Sequence, residues 1–217
     1  PKQYKFLDIN PNYTNPDERL SVRYQWGFEM SNKKFIFLTH NDVLYTGDII
    51  GEMLNRIGNS AGIGHLGQCW NCPANKMNLC NSDNFYNWNP TYEEVLRLPL
   101  PHVRTNSQNI DKVNPKPMPE CRLNEWACLI NRDIYVKETY PNGKTPLLGE
   151  FGLDTGTKWF RSMHLKGYKF INYVEHFKHH FWAGVSGYDT QKMKSVYKSA
   201  EDSATLYYME NFMNNNV

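Results

Sequence analysis

The tripeptide His40-Asn41-Asp42 follows directly on the apolar run Phe35-Ile36-Phe37-Leu38. A carboxylate and an imidazole this close together are ligands for a divalent cation, and imidazole suits Mn²⁺ better than Mg²⁺. Asp42 is the first choice of ligand and His40 stands beside it; a polar turn with Asp42 merely capping is the competing reading. A second group of imidazoles, His176, His179 and His180, comes late in the chain. Alternation along an extended strand leaves His176 and His179 open as alternatives for a ligand. Asp154, with Glu150 nearby, precedes an apolar-periodic segment at a predicted helix start, a position that favours the ionised carboxylate. The plainer reading makes Asp154 an ordinary helix cap, with Lys158 and Arg161 as solvated charges. Cys69-x2-Cys72-x7-Cys80 is three-quarters of a structural Zn²⁺ site that Cys121 could complete, or His65 in another pairing; unligated thiols fit equally well. Cys128 lies in an apolar run and reads as core.

Elements must hold these side chains in place. Phe35 to Leu38, flanked by Lys33-Lys34, predicts a central strand covered on both faces, and ligands collect at the carboxyl ends of such strands in open sheets. Thr46 can cap a helix with Asp48 in its first turn and Ile49, Ile50, Met53, Leu54 and Ile57 at helical spacing before Gly58. Upstream, residues 4–9 allow a strand, and Asn15-Pro16-Asp17-Glu18 starts a helix with Leu20, Tyr24 and Phe28 on one face. A strand over 61–66 uses its glycines for close backbone approach. Thr91 and Glu94 form a capping box opening a short helix to about Leu98. The Pro- and Asn-rich stretch 99–119 predicts a loop that orders on ligand binding. A turn at Tyr140-Pro141-Asn142-Gly143, a helix over about 155–166 with Trp159, Phe160 and Met163 inward, a strand over 170–174 and a packing helix over 190–212 complete the pattern. The final residues, 214–217, should fray.

The 217 residues are enough for one sizeable domain, and 40% hydrophobic with 14% aromatic residues is a globular composition. The net charge of +2, from 24 basic and 22 acidic side chains, gives no reason to expect nucleic acid as a partner. No apolar run approaches the ~20 residues of a transmembrane helix, and the start lacks a signal-peptide pattern. These features predict a soluble, cytoplasmic chain, 1–217 as one domain, with 68–121 as a Cys-, Pro- and Asn-rich insertion rather than core and 190–217 as a C-terminal helix.

Five stretches, in order, resemble nucleotide-sugar glycosyltransferases of the GT-A fold, family 2-like and inverting. They are Ser21 to Met30, the strand end at 35–48, Glu125-Trp126-Ala127-Cys128-Leu129-Ile130-Asn131-Arg132, Gly149-Glu150-Phe151-Gly152-Leu153-Asp154-Thr155, and Gly167 to Phe170 followed by Glu175 to His180. The resemblance implies an α/β fold, a GT-A-like mixed sheet flanked by helices. It implies transfer of a sugar from a nucleotide-diphosphate donor to an acceptor hydroxyl, with a Mn²⁺ or Mg²⁺ cofactor. Asp42, His40 and either His176 or His179 would hold the metal. Asp154 would be the base, with Glu150 as alternative, and Asn41, Trp126 and Arg132 would line the donor and acceptor sides. Two positions depart from the pattern: His40 stands where a first carboxylate is usual, and Leu153 replaces one of an acidic pair. Little sequence precedes the first helix, so an N-terminal segment or partner chain is expected to complete the nucleotide side. Two other classes remain open: a permuted papain-like cysteine hydrolase using His65 and Cys128, and an inactive zinc-stabilised binding module.

Overall fold

Four apolar segments pair through their backbones into a mixed sheet with the order β1-β4-β3-β5. A computed structural model gives the chain's structure and describes residues 16–40, 43–69, 72–99, 110–119, 121–150, 154–179 and 191–213. The elements, in order, are α1 (Pro16–Met30), β1 (Phe35–Thr39), β2 (Val43–Tyr45), α2 (Ile49–Ile57), β3 (Gly62–Leu66), α3 (Pro73–Lys76), α4 (Tyr92–Leu96), β4 (Leu123–Asn131), α5 (Arg132–Glu138), α6 (Thr157–Leu165), β5 (Phe170–Asn172), β6 (Phe177–His179) and α7 (Gln191–Tyr208), which runs into a π-helical turn (Met209–Met213). This is an α/β arrangement. The strand expected at 4–9, the Asn15 cap, Asn41, Asp42, His180 and the fraying end at 214–217 lie outside the described residues.

The strand directions matter most for a site. β4 is antiparallel to both β1 and β3, and β5 is parallel to β3. The carboxyl ends of β1, β3 and β5 therefore meet the start of β4 along one edge of the sheet. β4, not β1, is the covered strand: all nine of its residues are buried, whereas β1 is half-buried at an end of the described sheet. Apolarity alone did not separate the two, since both read as continuous hydrophobic runs.

Close approach explains the glycines of β3. A methyl group on Gly64 would stand 2.7 Å from the Cys128 Cβ and 2.9 Å from the Ala127 carbonyl, and one on Gly62 would meet the Leu123 side chain at 2.6 Å. Only a residue without Cβ lets β3 lie this tightly on β4.

Helix α2 is capped by Asp48 rather than Thr46: the Asp48 carboxylate accepts from the Gly51 N–H at 2.8 Å. Ile49, Met53 and Ile57 turn inward, while Ile50 and Leu54 are exposed. α4 carries the expected Thr91–Glu94 capping box. α6 buries Trp159, Phe160 and Met163, and Gly167 follows with φ of 87°.

The cysteine-rich stretch is core, contrary to the sequence expectation of an insertion. Cys72, Ala74, Cys80, Phe85, Val95, Ile110, Met118 and Cys121 are buried in the same cluster as Phe28, Ile130, Trp159 and Phe160. Likewise residues 115–119 of the Pro-rich loop are packed, though 112–114 are exposed: Met118 is buried and the Lys116 ammonium lies 4.4 Å from the centre of the Phe85 ring, donating to the Phe85 and Trp88 carbonyls. The low aliphatic content of 69–121 concealed this, because its buried surface is supplied by thiols and aromatic rings.

Candidate functional site at the carboxyl ends of β1 and β3

At that sheet edge a connected set of polar side chains is drawn together from four parts of the chain. Arg122, just before β4, is its centre, with a side chain only 4% exposed. Its Nη1 lies 2.9 Å from Asp154 Oδ1 and donates to the Thr155 carbonyl at 3.1 Å. Its Nε donates to Asn124 Oδ1 at 2.9 Å, and its Nη2 stands 3.8 Å from Glu125 Oε2. Asn124 in turn donates to the carbonyls of His65 and Gly67, fixing the end of β3 where the β3–β4 register shifts.

Asp154 is not the cap of α6, which is Gly156 with φ of 81°. Its Oδ1 also accepts from the Thr155 N–H at 3.1 Å, and its Oδ2 accepts from Gln68 Nε2 at 3.1 Å. The carboxylate is thereby fixed in one orientation, yet its side chain is 29% exposed and can meet a ligand. Glu150, the alternative, pairs with Lys158 at 3.1 Å on the surface, and Arg161 pairs with Asp111. Neither belongs to the Asp154 group.

His40 continues the β1–β4 ladder, its N–H donating to the Trp126 carbonyl at 2.9 Å. Its Nε2 lies 3.6 Å from Glu125 Oε1. His40 and Asp154, far apart in sequence, are thus joined through Glu125 and Arg122.

The histidines at the other end separate by strand register. β2 and β6 pair antiparallel, with Val43 opposite His179 and Tyr45 opposite Phe177. The His179 backbone therefore lies beside Val43, the neighbour of Asp42 in sequence. His176 lies past the opposite end of the ribbon, where its carbonyl accepts from the Thr46 N–H at 2.9 Å. The step from Val43 to Thr46 is roughly 10 Å at strand spacing. His176, with φ of 60°, is engaged by Glu52 at 3.1 Å. Between the two alternatives, the register favours His179.

Two residues expected to contact ligand are elsewhere. Arg132 opens α5 at the far end of β4, where its Nε donates to the Phe28 carbonyl at 2.6 Å. The nine residues of β4 put it roughly 30 Å from Arg122. Trp126 is buried in the cluster of Val43, Met53, Leu129 and Tyr173, with its ring 5.5 Å from that of His65. It packs the sheet rather than offering a binding face.

No disulfide joins the five cysteines. Among the described residues no group of three His, Cys, Asp or Glu side chains could hold a metal ion. Cys69 Sγ is 3.3 Å from Ser82 Oγ and Cys80 Sγ 3.7 Å from the Asn81 carbonyl. Burial, then the neighbouring Cys72, pushes the Cys80 thiol up to about 11, and burial raises Cys121 well above the ordinary range. The Cys69, Cys72 and Cys80 charges act on one another and on Cys121, yet among the described residues no three of these side chains are set to hold a metal ion. Cys128 is equally unsuited to be a nucleophile: it lies mid-strand, 1% exposed, with its thiol raised by burial. His65 is half-buried and its imidazole is lowered by burial.

At the His40 end the described residues bring together one imidazole and one carboxylate, His40 and Glu125. Glu125 is buried, and its Oε2 has no hydrogen-bond partner among the described residues. That oxygen faces the Arg122 guanidinium at 3.8 Å, whereas the His40 imidazole stands by Oε1.

Sequence reasoning passed over Arg122, Asn124, Glu125 and Gln68. The signal was present: arginine and glutamate at the start of an otherwise apolar strand are rarely buried unless paired. Comparison of the chain with protein-family models, with curated proteins and with solved structures finds no match to any of them.

Proposed function

We propose that the chain is a glycosyltransferase that moves a sugar from a nucleotide-diphosphate donor to an acceptor hydroxyl, with a GT-A-like core and a divalent cation. The observation that carries this reading is the joining of Asp154 to His40 through Arg122 and Glu125 at the edge where β1, β3 and β5 end. Sheet edges of this kind are where strand-end loops gather ligands.

In this reading Asp154 takes the proton of the acceptor hydroxyl as the acceptor oxygen bonds the anomeric carbon. The bond from that carbon to the phosphate oxygen breaks, and its electron pair leaves with the nucleoside diphosphate. Arg122 and Gln68 orient the carboxylate, so the base is positioned before substrate arrives. His40, Glu125, Asp42 and His179 are the residues that would hold a cation. Bound there, it would neutralise the charge developing on the departing diphosphate. Asp154 is 29% exposed, so an acceptor can reach its carboxylate.

The test is turnover of a panel of nucleotide-diphosphate sugars with Mn²⁺ or Mg²⁺, read as release of nucleoside diphosphate, with and without simple sugar acceptors. Release from at least one donor, lost in Asp154→Asn, is the expected result. No release from any donor by folded protein would remove the reading.

A further inference from the structure

After β3 the chain turns at Cys69-x2-Cys72-Pro73 and leads into α3. We propose that Cys69 and Cys72 are a redox dithiol: a small-molecule disulfide oxidises them, through attack by Cys69, to an intramolecular disulfide. The inference does not rest on the sugar-transfer reading.

Backbone geometry brings the pair within bonding reach. The Cys72 N–H donates to the Cys69 carbonyl at 3.1 Å. A turn closed by such a bond holds its end Cα atoms within ~7 Å, and a disulfide spans about 4.4–6.8 Å between Cα atoms. Both ends of the turn are anchored. Before it, the Gly67 N–H donates to the Arg122 carbonyl at 2.7 Å and the Gln68 amide to Asp154; after it, the Cys72 carbonyl accepts from the Lys76 N–H at 3.2 Å. The two thiols are therefore held close, which raises the effective concentration of one for the other. Their side chains also face one region, since the Cys69 and Cys72 charges both act on the Cys80 thiol and on Cys121.

Exposure assigns the roles. Cys69 is half-buried, whereas Cys72, Cys80 and Cys121 are 6%, 7% and 8% exposed. A dissolved disulfide reaches Cys69 first, and Cys72 stands behind it as the resolving thiol. Cys69 Sγ lies 3.3 Å from the Ser82 hydroxyl. Burial raises the Cys69 thiol and this contact draws it back down, so mildly alkaline solution supplies thiolate for the attack. Cys80 and Cys121 also neighbour Cys72, but burial pushes their thiols up, to about 11 for Cys80, which makes them poor first attackers.

The exchange balances in two steps. The Cys69 thiol gives its proton to solvent and its sulfur bonds one sulfur of the small disulfide; that S–S bond breaks, and its electron pair leaves on a thiolate that takes up a proton. Cys72, deprotonated, then bonds Cys69 Sγ, and the mixed S–S bond breaks to release the second small thiol. Two protein thiols lose two electrons and two protons, and one disulfide is reduced to two thiols.

The experiment exposes the folded full chain to glutathione disulfide for hours at about pH 8, near the ordinary thiol range. Remaining thiols are then alkylated in urea, the disulfide is reduced, the newly released thiols take a second label, and mass spectrometry maps both labels. The expected product is lighter by two hydrogen atoms, with the second label on Cys69 and Cys72 and the first on Cys80, Cys121 and Cys128. Cys72→Ser should stop with one glutathionyl group on Cys69, and Cys80→Ser should oxidise as wild type; circular dichroism reports whether each is folded. Should a variant not fold, the wild-type map decides. Five alkylated thiols in wild type, a lasting glutathionyl group on wild-type Cys69, or a disulfide joining any other pair overturns the proposal.

Discussion

Replacing Arg122 with Met is expected to destabilise the fold by about 3–5 kcal/mol, the range for breaking a buried ion pair by deleting one partner. The guanidinium, 4% exposed, sits between Asp154 and Glu125 and also holds Asn124 and the Thr155 carbonyl. Without it, the buried Glu125 carboxylate loses its guanidinium neighbour, and the loop before α6 loses one of its ties to the sheet. Arg122→Lys keeps the charge but cannot reproduce a fork that reaches four groups at once, so an intermediate loss is expected. Glu150→Gln, which removes only an exposed pair with Lys158, should cost well under 1 kcal/mol. Urea denaturation of the three variants measures the order. Equal stability of Arg122→Met and Glu150→Gln would mean that the network holds nothing together.

For Asp154→Asn the expected change is in rate. If the carboxylate takes the acceptor proton, transfer should fall about 10²- to 10⁴-fold, the usual contribution of a positioned base. Donor affinity should be nearly unchanged, because the lost interaction belongs to the transition state. The amide keeps the size of the side chain and one acceptor for Arg122 and Thr155, while its NH2 replaces the oxygen that accepted from Gln68, whose own amide must turn over to accept. A drop in kcat with KM for the donor preserved is the predicted signature, read from initial rates at varied donor and acceptor. A raised KM with kcat intact would make Asp154 a binding residue instead.

Much of this architecture is legible in the residues. Helical spacing exposes α2 and α6, the Thr91–Glu94 pattern fixes the start of α4, and glycines at 62 and 64 mark the tight β3–β4 contact. Asp154 and His40 are recognisable as candidates by residue type and by their places at element ends. Their connection is not, because it runs through Arg122 and Glu125, and pairing between a loop and a distant strand leaves no local periodicity. The same limit misplaces Arg132: its sequence position at a strand end looks like a ligand site, but antiparallel pairing puts the end of β4 at the opposite edge from the ends of β1 and β3. Strand direction is a property of pairing, and only the assembled sheet supplies it. The choice between His176 and His179 turns on the β2–β6 register, which pairs two segments distant in sequence.

The central claim is that the edge formed by His40, Glu125, Arg122 and Asp154 receives the donor's diphosphate. The most direct measurement is a crystal structure with Mn²⁺ and a nucleoside diphosphate, located by anomalous scattering from the metal and by phosphate density. The metal is predicted within ~2.0–2.6 Å of His40 Nε2 and a Glu125 oxygen, with the diphosphate on it and the Asp154 carboxylate facing the open side. Metal and diphosphate bound instead at the Glu52–His176 pair, or beside Arg132 at the far end of β4, would contradict the account.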